Sequence, residues 1–327
     1  MWPVTNGGAR YVEYIISKLL RDGNVVTLFL PEPKEKRIHE TIPGVKAVYY
    51  QSLHPYHHFV NFPLIQALYR ECFENRPDGI VINYPFQFLM VHRIAKQFKI
   101  PVTVVAHNIE FLRFRSMKKY FLSIIIFFSE WFALRCSSHV WAITHRVREQ
   151  ITAIFHVESE VVSHIPDPNI FKVISESESR ELKRSFFPDF KKIVLFFGNL
   201  QYSPNREAVH FLNDVIAKEV FERDKEIQFL IVGEGHPRKI YMQNVMTIGY
   251  VENIQEYIYA ADVVAIPVYQ GGGVNIKALE VIACGKPLFV STFVADGLDE
   301  DLRRKVKICA RDEFAGLILD FFRKTAG

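Results

Sequence analysis

Cysteine is scarce, with four in 327 residues. Cys72, Cys136, Cys284 and Cys309 lie far apart and form no C-x-x-C pair. That excludes a disulfide scaffold and a thiolate metal site, and leaves reduced thiols of a cytoplasmic protein as the expectation. Long hydrophobic runs are also missing. None reaches the ~18–20 residues of a spanning helix, and no basic, apolar and cleavage-site succession opens the chain. The clustered His54, His57 and His58 have no Cys or carboxylate at ligand spacing, so they read as solvated loop residues. No internal repeat or low-complexity tract is present, no DxD-type metal site stands in the right place, and nothing calls for a nucleic-acid partner.

What is there describes a soluble globular protein. Hydrophobic residues make up 49% and charged residues 23%, enough for a sizeable core. The length suits two domains of about 160 residues each. Charge is uneven: residues 1–165 carry 19 Lys/Arg against 13 Asp/Glu, and the remainder 21 against 23. A basic first half facing something anionic is the expectation. Short apolar runs alternate with helical patterns: Val25–Leu30, Val45–Tyr50, Gly79–Ile82, Val102–Ala106, Val140–Ile143 and Val161–Ile165, then Ile193–Phe197, Ile227–Val232, Val245–Ile248, Val263–Val268 and Leu288–Ser291. This is the signature of βα units with parallel sheets. Pro166-Asp167-Pro168-Asn169 and the polar stretch after it mark a boundary, giving domains 1–166 and 167–327. In open parallel sheets ligands bind beyond the carboxyl ends of the strands. His107, Gly198, Asn199, Gly233 and Gly271–Gly273 all fall at such ends.

Gly271-Gly272-Gly273 follows an apolar run and precedes a short helical pattern containing Lys277 and Glu280. Three adjacent glycines can turn their N–H groups to one point, and a helix N-terminus adds its dipole, which suits a phosphate. A cation at the phosphate and a carboxylate one turn on, accepting from a sugar diol, is nucleotide-sugar chemistry. The plainer alternative is a surface ion pair worth ~0.2–0.5 kcal/mol. Ser203-Pro204 reads as a helix cap and first turn, aiming the N–H groups near Asn205 and Arg206 at the same place.

The blocks Phe196-Phe197-Gly198, Tyr202-Ser203-Pro204-Asn205, Ile231-Val232-Gly233-Glu234-Gly235, Ile248-Gly249-Tyr250-Val251, Ala260-Ala261-Asp262 and Gly273 through Pro287 together resemble the donor-binding half of the family-4 glycosyltransferases. Asn6-Gly7-Gly8-Ala9-Arg10 and Ala106-His107-Asn108-Ile109-Glu110 resemble the first half. The resemblance implies the α/β GT-B fold, two doubly wound Rossmann-like domains facing a central cleft. It also implies transfer of a glycosyl group from a nucleotide sugar to a glycan or lipid-linked acceptor, with retention and without a metal or other cofactor. Glu280 matches the residue that bonds the ribose, and the charge on the phosphates would have to come from Lys277 and Arg206. His107 matches a group near the reacting carbon, and Gly7 and Gly8 a loop approaching the phosphates. Tyr250 and Val251 match the base-framing loop, while Gly272, Gly273 and Val274 complete the donor loop. The sequence departs from the family at Asn199 and Asn205, where Arg and Lys are usual. It departs again at Gly272, the first position of an E-x7-E pair of which only Glu280 remains. A non-catalytic scaffold of the same fold is therefore the competing function.

Arg113, Arg115, Lys118 and Lys119 lead into an aromatic helical stretch beginning at Tyr120 and Phe121. Either it lies on an anionic membrane surface, on the inner face of the membrane, or it is buried under the sheet. The family usually opens with an apolar strand at the centre of its first sheet, and Met1–Thr5 is too short to supply one. The expectation is an upstream segment of about ten apolar residues, or else a first domain rewired around the gap. The family's last helix also reads as shortened.

Overall fold

The Val/Ile/Leu runs form parallel strands connected by helices, as runs apolar on both faces require. The computed structural model describes residues 7–32, 44–51, 61–116, 118–163, 166, 168–235, 241–271 and 275–325. The chain divides near residue 164 into two units. Gly272, Gly273 and Val274 lie outside the described residues.

The first unit runs α1 (Gly7–Arg21), β1 (Val26–Pro31), β2 (Val45–Tyr50), α2 (Phe62–Asn75), β3 (Ile80–Asn83), α3 (Phe88–Phe98), β4 (Val102–Ala106), α4 (Glu110–Ser116), α5 (Tyr120–Cys136), β5 (His139–Ala142), α6 (His145–Phe155) and β6 (Glu160–Val161). Its strands form two separate parallel sheets, β1-β2 and β3-β4-β5-β6. Every residue of β3 is half-buried, and so is every residue of β1 except Leu30. The expected strand Val161–Ile165 is present only as Glu160–Val161 among the described residues.

The second unit runs α7 (Glu176–Phe186), β7 (Lys192–Phe197) and α8 (Ser203–Phe211), which continues through a π-helical turn at Leu212–Ala217 into α9 (Lys218–Arg223). Then come β8 (Ile227–Val232), β9 (Val245–Gly249), α10 (Ile254–Ala260), β10 (Val263–Ile266), α11 (Ile276–Ala283), β11 (Leu288–Ser291), α12 (Thr292–Ala295), α13 (Glu300–Arg303), β12 (Lys307–Cys309) and α14 (Phe314–Thr325). Its six strands form one sheet in the order β12-β11-β10-β7-β8-β9. Ile193, Val194, Leu195 and Phe196 of β7 and all of β10 are completely buried. The chain winds from β7 outward to β9, then returns to β10 on the other side of β7. The reversal opens a crevice at the carboxyl ends of β7 and β10.

The polar stretch after the boundary is not only a linker. It holds α7, opened by a capping box in which Ser175 accepts from the Glu178 N–H and Glu178 from the Ser175 N–H. Lys183 reaches Asp262 at 2.6 Å, and Ser179 donates to the Tyr259 carbonyl at 2.7 Å, docking the helix beside α10.

Candidate active site

At the crevice of the second unit, β7 ends in Gly198, whose φ of +147° disfavours any side chain. A Cβ there would sit 2.9 Å from Asn205 Nδ2 and 3.0 Å from Lys277 Nζ. Gly233, at the end of β8, has φ +149°, and its Cβ would meet the Gly198 carbonyl oxygen at 1.9 Å. The Gly198 N–H donates to Val232 O at 2.9 Å, and the Gly233 N–H to Gly249 O at 2.7 Å. Three strand-end glycines thus lie side by side.

Lys277 leaves the first turn of α11 and donates to Asn205 Oδ1 at 2.8 Å, with its ammonium 4.9 Å from the centre of the Phe196 ring. Asn205 Nδ2 donates to Asn199 O at 2.7 Å, and Asn199 Oδ1 accepts from the Gln201 N–H at 2.8 Å. The two asparagines that stand where the family carries positive charge therefore form a neutral frame around one ammonium. Lys277 keeps some accessible surface, but its charged end is enclosed by Asn205, Phe196 and the Gly198 backbone. Burial lowers its pKa to about 7, and no carboxylate among the described residues pairs with it. Glu280, one turn further, is 1% exposed. The surface ion pair weighed from sequence is not what this helix carries.

The helix-start expectation needs correction. Tyr202, not Ser203, is the N-cap of α8. Ser203 is the first helical residue, and its hydroxyl donates to Glu207 Oε1 at 3.2 Å. The N–H groups of Asn205 and Arg206 both donate to the Tyr202 carbonyl at 3.1 Å, so neither is available to a ligand. The Arg206 guanidinium folds back to donate to the Gln201 carbonyl. Tyr250 is 69% exposed after β9, and Val251 is half-buried. Gly271, with φ +135°, passes the Tyr202 hydroxyl, to which a Cβ would come within 3.2 Å.

In the first unit, His107 follows β4 and is 6% exposed. The Tyr84 ring stacks on it at 4.5 Å, Tyr11 meets it edge-on at 4.9 Å, and Nε2 lies 3.1 Å from Asn83 Oδ1. Asn83 Oδ1 can only accept, so Nε2 carries the proton and Nδ1 keeps its lone pair. Burial lowers the imidazole pKa to about 4, which makes His107 neutral near pH 7. Gly7 and Gly8 form the first turn of α1, the turn that precedes Tyr11. Sequence reasoning named His107 and missed its setting. Asn83-Tyr84-Pro85 at a strand end was the available signal, and Tyr84 adopts φ +74° to bring its ring over the imidazole.

The basic-aromatic segment is two helices, α4 and α5, whose aromatic faces meet through Phe111 and Phe127 with ring centres 5.1 Å apart. Arg113 is committed, with Nε 2.8 Å from Glu110 Oε2. Arg115, Lys118 and Lys119 are exposed. So are Tyr120, Phe121, Ile124, Ile125, Phe128 and Trp131, one stripe of α5. No helix among the described residues is long and apolar enough to cross a membrane.

Comparison with known proteins accounts for both units. The family model described as Glycosyltransferase Family 4 matches residues 5–168, and that described as Glycosyl transferases group 1 matches residues 191–322. No curated protein matches the sequence. Among solved structures, sucrose-phosphate synthase from Thermosynechococcus elongatus aligns with a TM-score of 0.74 at 16% identity, over 98% of this chain and 84% of that one. WaaG, a glycosyltransferase involved in lipopolysaccharide biosynthesis, aligns with 0.69 at 14% identity, over 98% and 88%. Anabaena HepE, solved with UDP and glucose, aligns with 0.64 at 15% identity, over 86% and 78%. At such identities the likeness is one of fold, the GT-B class of paired Rossmann-like units. The two family matches carry the rest: the chain belongs to the family-4 glycosyltransferases and is a nucleotide-sugar-dependent glycosyltransferase.

Proposed function

We propose that the second unit binds a nucleoside diphosphate sugar at the crevice beyond β7 and β10, and that the enzyme passes a hexosyl group with retention to a hydroxyl of a glycan or lipid-linked acceptor. The observation that carries this reading is Lys277. An enclosed ammonium with no carboxylate partner among the described residues, beside a glycine where a Cβ would crowd it, suits a diphosphate. The phosphate charge would restore its full protonation, and as the sugar bond breaks the same contact would stabilise the leaving diphosphate. Electrostatic help of this kind needs no metal. Glu280 takes the ribose hydroxyls. Gly198, Gly233, Asn199 and Asn205 shape the phosphate loop, and Tyr250 and Val251 frame the base. His107 acts as a neutral hydrogen-bonding group toward the transferred sugar.

The exposed aromatic stripe of α5, with Arg115, Lys118 and Lys119 at its start, supports a peripheral location on an anionic cytoplasmic membrane surface. A lipid-linked acceptor fits that location, and WaaG acts in lipopolysaccharide biosynthesis.

Thermal shift with UDP, GDP, ADP and their glucose conjugates tests donor binding without an acceptor. UDP-glucose comes first because HepE was solved with it. A rise in melting temperature that Lys277→Ala and Glu280→Ala each weaken is the expected result. No shift with any nucleotide would sink the donor site, and binding without turnover on a broad acceptor panel would favour the non-catalytic scaffold.

A further inference from the structure

Helix α5 has its polarity inverted. Its outward stripe is aromatic and aliphatic, while Ser123 and Glu130, seven residues apart and so on one face, are turned inward at 5% and 2% exposure. Both grip the start of α4. The first N–H groups of a helix have no intrahelical carbonyl. In α4 those of Glu110 and Phe111 donate to Glu130 Oε1 and Oε2 at 2.9 and 3.1 Å. Ser123 Oγ donates to the Phe111 carbonyl at 2.8 Å. Phe111 is therefore held through both its peptide groups by a helix that follows it in sequence.

The held point matters because of what precedes it. β4 ends at Ala106, His107 follows, and α4 begins at Glu110. The turn carrying the imidazole is short and anchored at one end by the sheet, at the other by this clasp. A leucine at 130 would fill the space without the cost of a buried carboxyl, but it would leave two buried N–H groups unsatisfied. Burial pushes the Glu130 pKa up to about 8 and raises that of Glu110, which Arg113 offsets.

We propose that Glu130 is a positioning residue for the sugar-contacting turn, acting on His107 through the N-terminus of α4. The inference rests on the role given above to His107. The test is Glu130→Ala in the full chain, read by steady-state transfer and by NMR titration of His107. The expected result is a kcat lower by roughly 10- to 100-fold, the scale of a misplaced reacting geometry, with the donor KM little changed. The His107 pKa should climb from about 4 toward the ordinary ~6.5. Glu130→Gln keeps one acceptor oxygen and should restore most of the activity. If Glu130→Ala does not fold, Ser123→Ala removes one bond of the clasp and should shift both readouts in the same direction by less. Wild-type kcat and an unmoved His107 titration in the folded variants would overturn the proposal. If the wild type transfers from no donor, the functional reading fails, while the titration still decides the clasp.

Discussion

Both units alternate strands and helices, and their sheets differ. In the second, β7 lies between β8 and β10, and its residues from Ile193 to Phe196 are completely buried. In the first, the described strands form two sheets, β1-β2 and β3-β4-β5-β6, and half-buried β3 is an edge strand of the larger one. The second unit therefore carries its site on one continuous sheet with a fully buried centre, from Gly198 to Lys277. The first holds His107 at the end of β4 and adds two tyrosine rings, an asparagine and the α4–α5 clasp. The difference teaches that side-chain stacking and hydrogen bonds can position a site residue beyond what the sheet provides, while a fully buried strand also supplies stability.

The largest test is at the back-to-back glycines. Gly233→Ala drives a Cβ to 1.9 Å from a carbonyl oxygen and should cost the second unit more than ~4 kcal/mol. Two-transition melting should show that unit falling while the first is unmoved. A second test puts one deletion in both sheets. Ile266→Ala, in completely buried β10, should cost ~3–4 kcal/mol, and Ile82→Ala in half-buried β3 only about 1 kcal/mol. Equal losses by chemical denaturation would dissolve the contrast between the sheets.

Acid should act on the first unit. His107 titrates at about 4 in the folded state and near ~6.5 when unfolded, so the unfolded chain binds the extra proton between those values. The associated stability is complete above pH ~6.5 and is lost as pH falls through 4, about 3 kcal/mol in all. His107→Asn should flatten that part of the pH–stability profile. In the second unit, Lys277→Ala should weaken nucleotide binding by ~1.5–3 kcal/mol. With its free pKa at about 7, bound phosphate should draw a proton onto Lys277. Affinity in the wild type should fall as pH rises above 7, and calorimetry in buffers of differing ionisation heat should show proton uptake that the variant lacks. The smallest effect is at the surface. Neutralising Arg115, Lys118 and Lys119 should remove anionic-vesicle binding worth about 1 kcal/mol per charge and leave soluble donor binding intact.

Much of the second unit was legible because its signals are local. A glycine at a strand end, a lysine in the next helix turn and apolar runs of strand length each lie within a few residues. The frame around Lys277 was half legible: Asn205 and Asn199 were noted as departures, but their bonding was not. α7 was readable from Ser175-x-x-Glu178 and was passed over because its residues are polar and its packing is made by Lys183 and Ser179 on distant partners. The setting of His107 joins residues 11, 83, 84 and 107, and stacking across such separations leaves no period in a sequence. α5 misleads for a related reason. An apolar helix reads as buried or lipid-facing, and nothing local tells which way Ser123 and Glu130 turn.

The two sheets of the first unit also bear on handling the protein. Ile80-Val81-Ile82 is a β-branched run on a strand whose outer side is unpaired among the described residues, and Val26–Pro31 presents a second such side. Unpaired apolar strand edges template pairing between chains. Pairing between chains, where it occurs, should begin at these two strands, and a lysine placed at Val81 should suppress it while leaving the second unit's chemistry untouched.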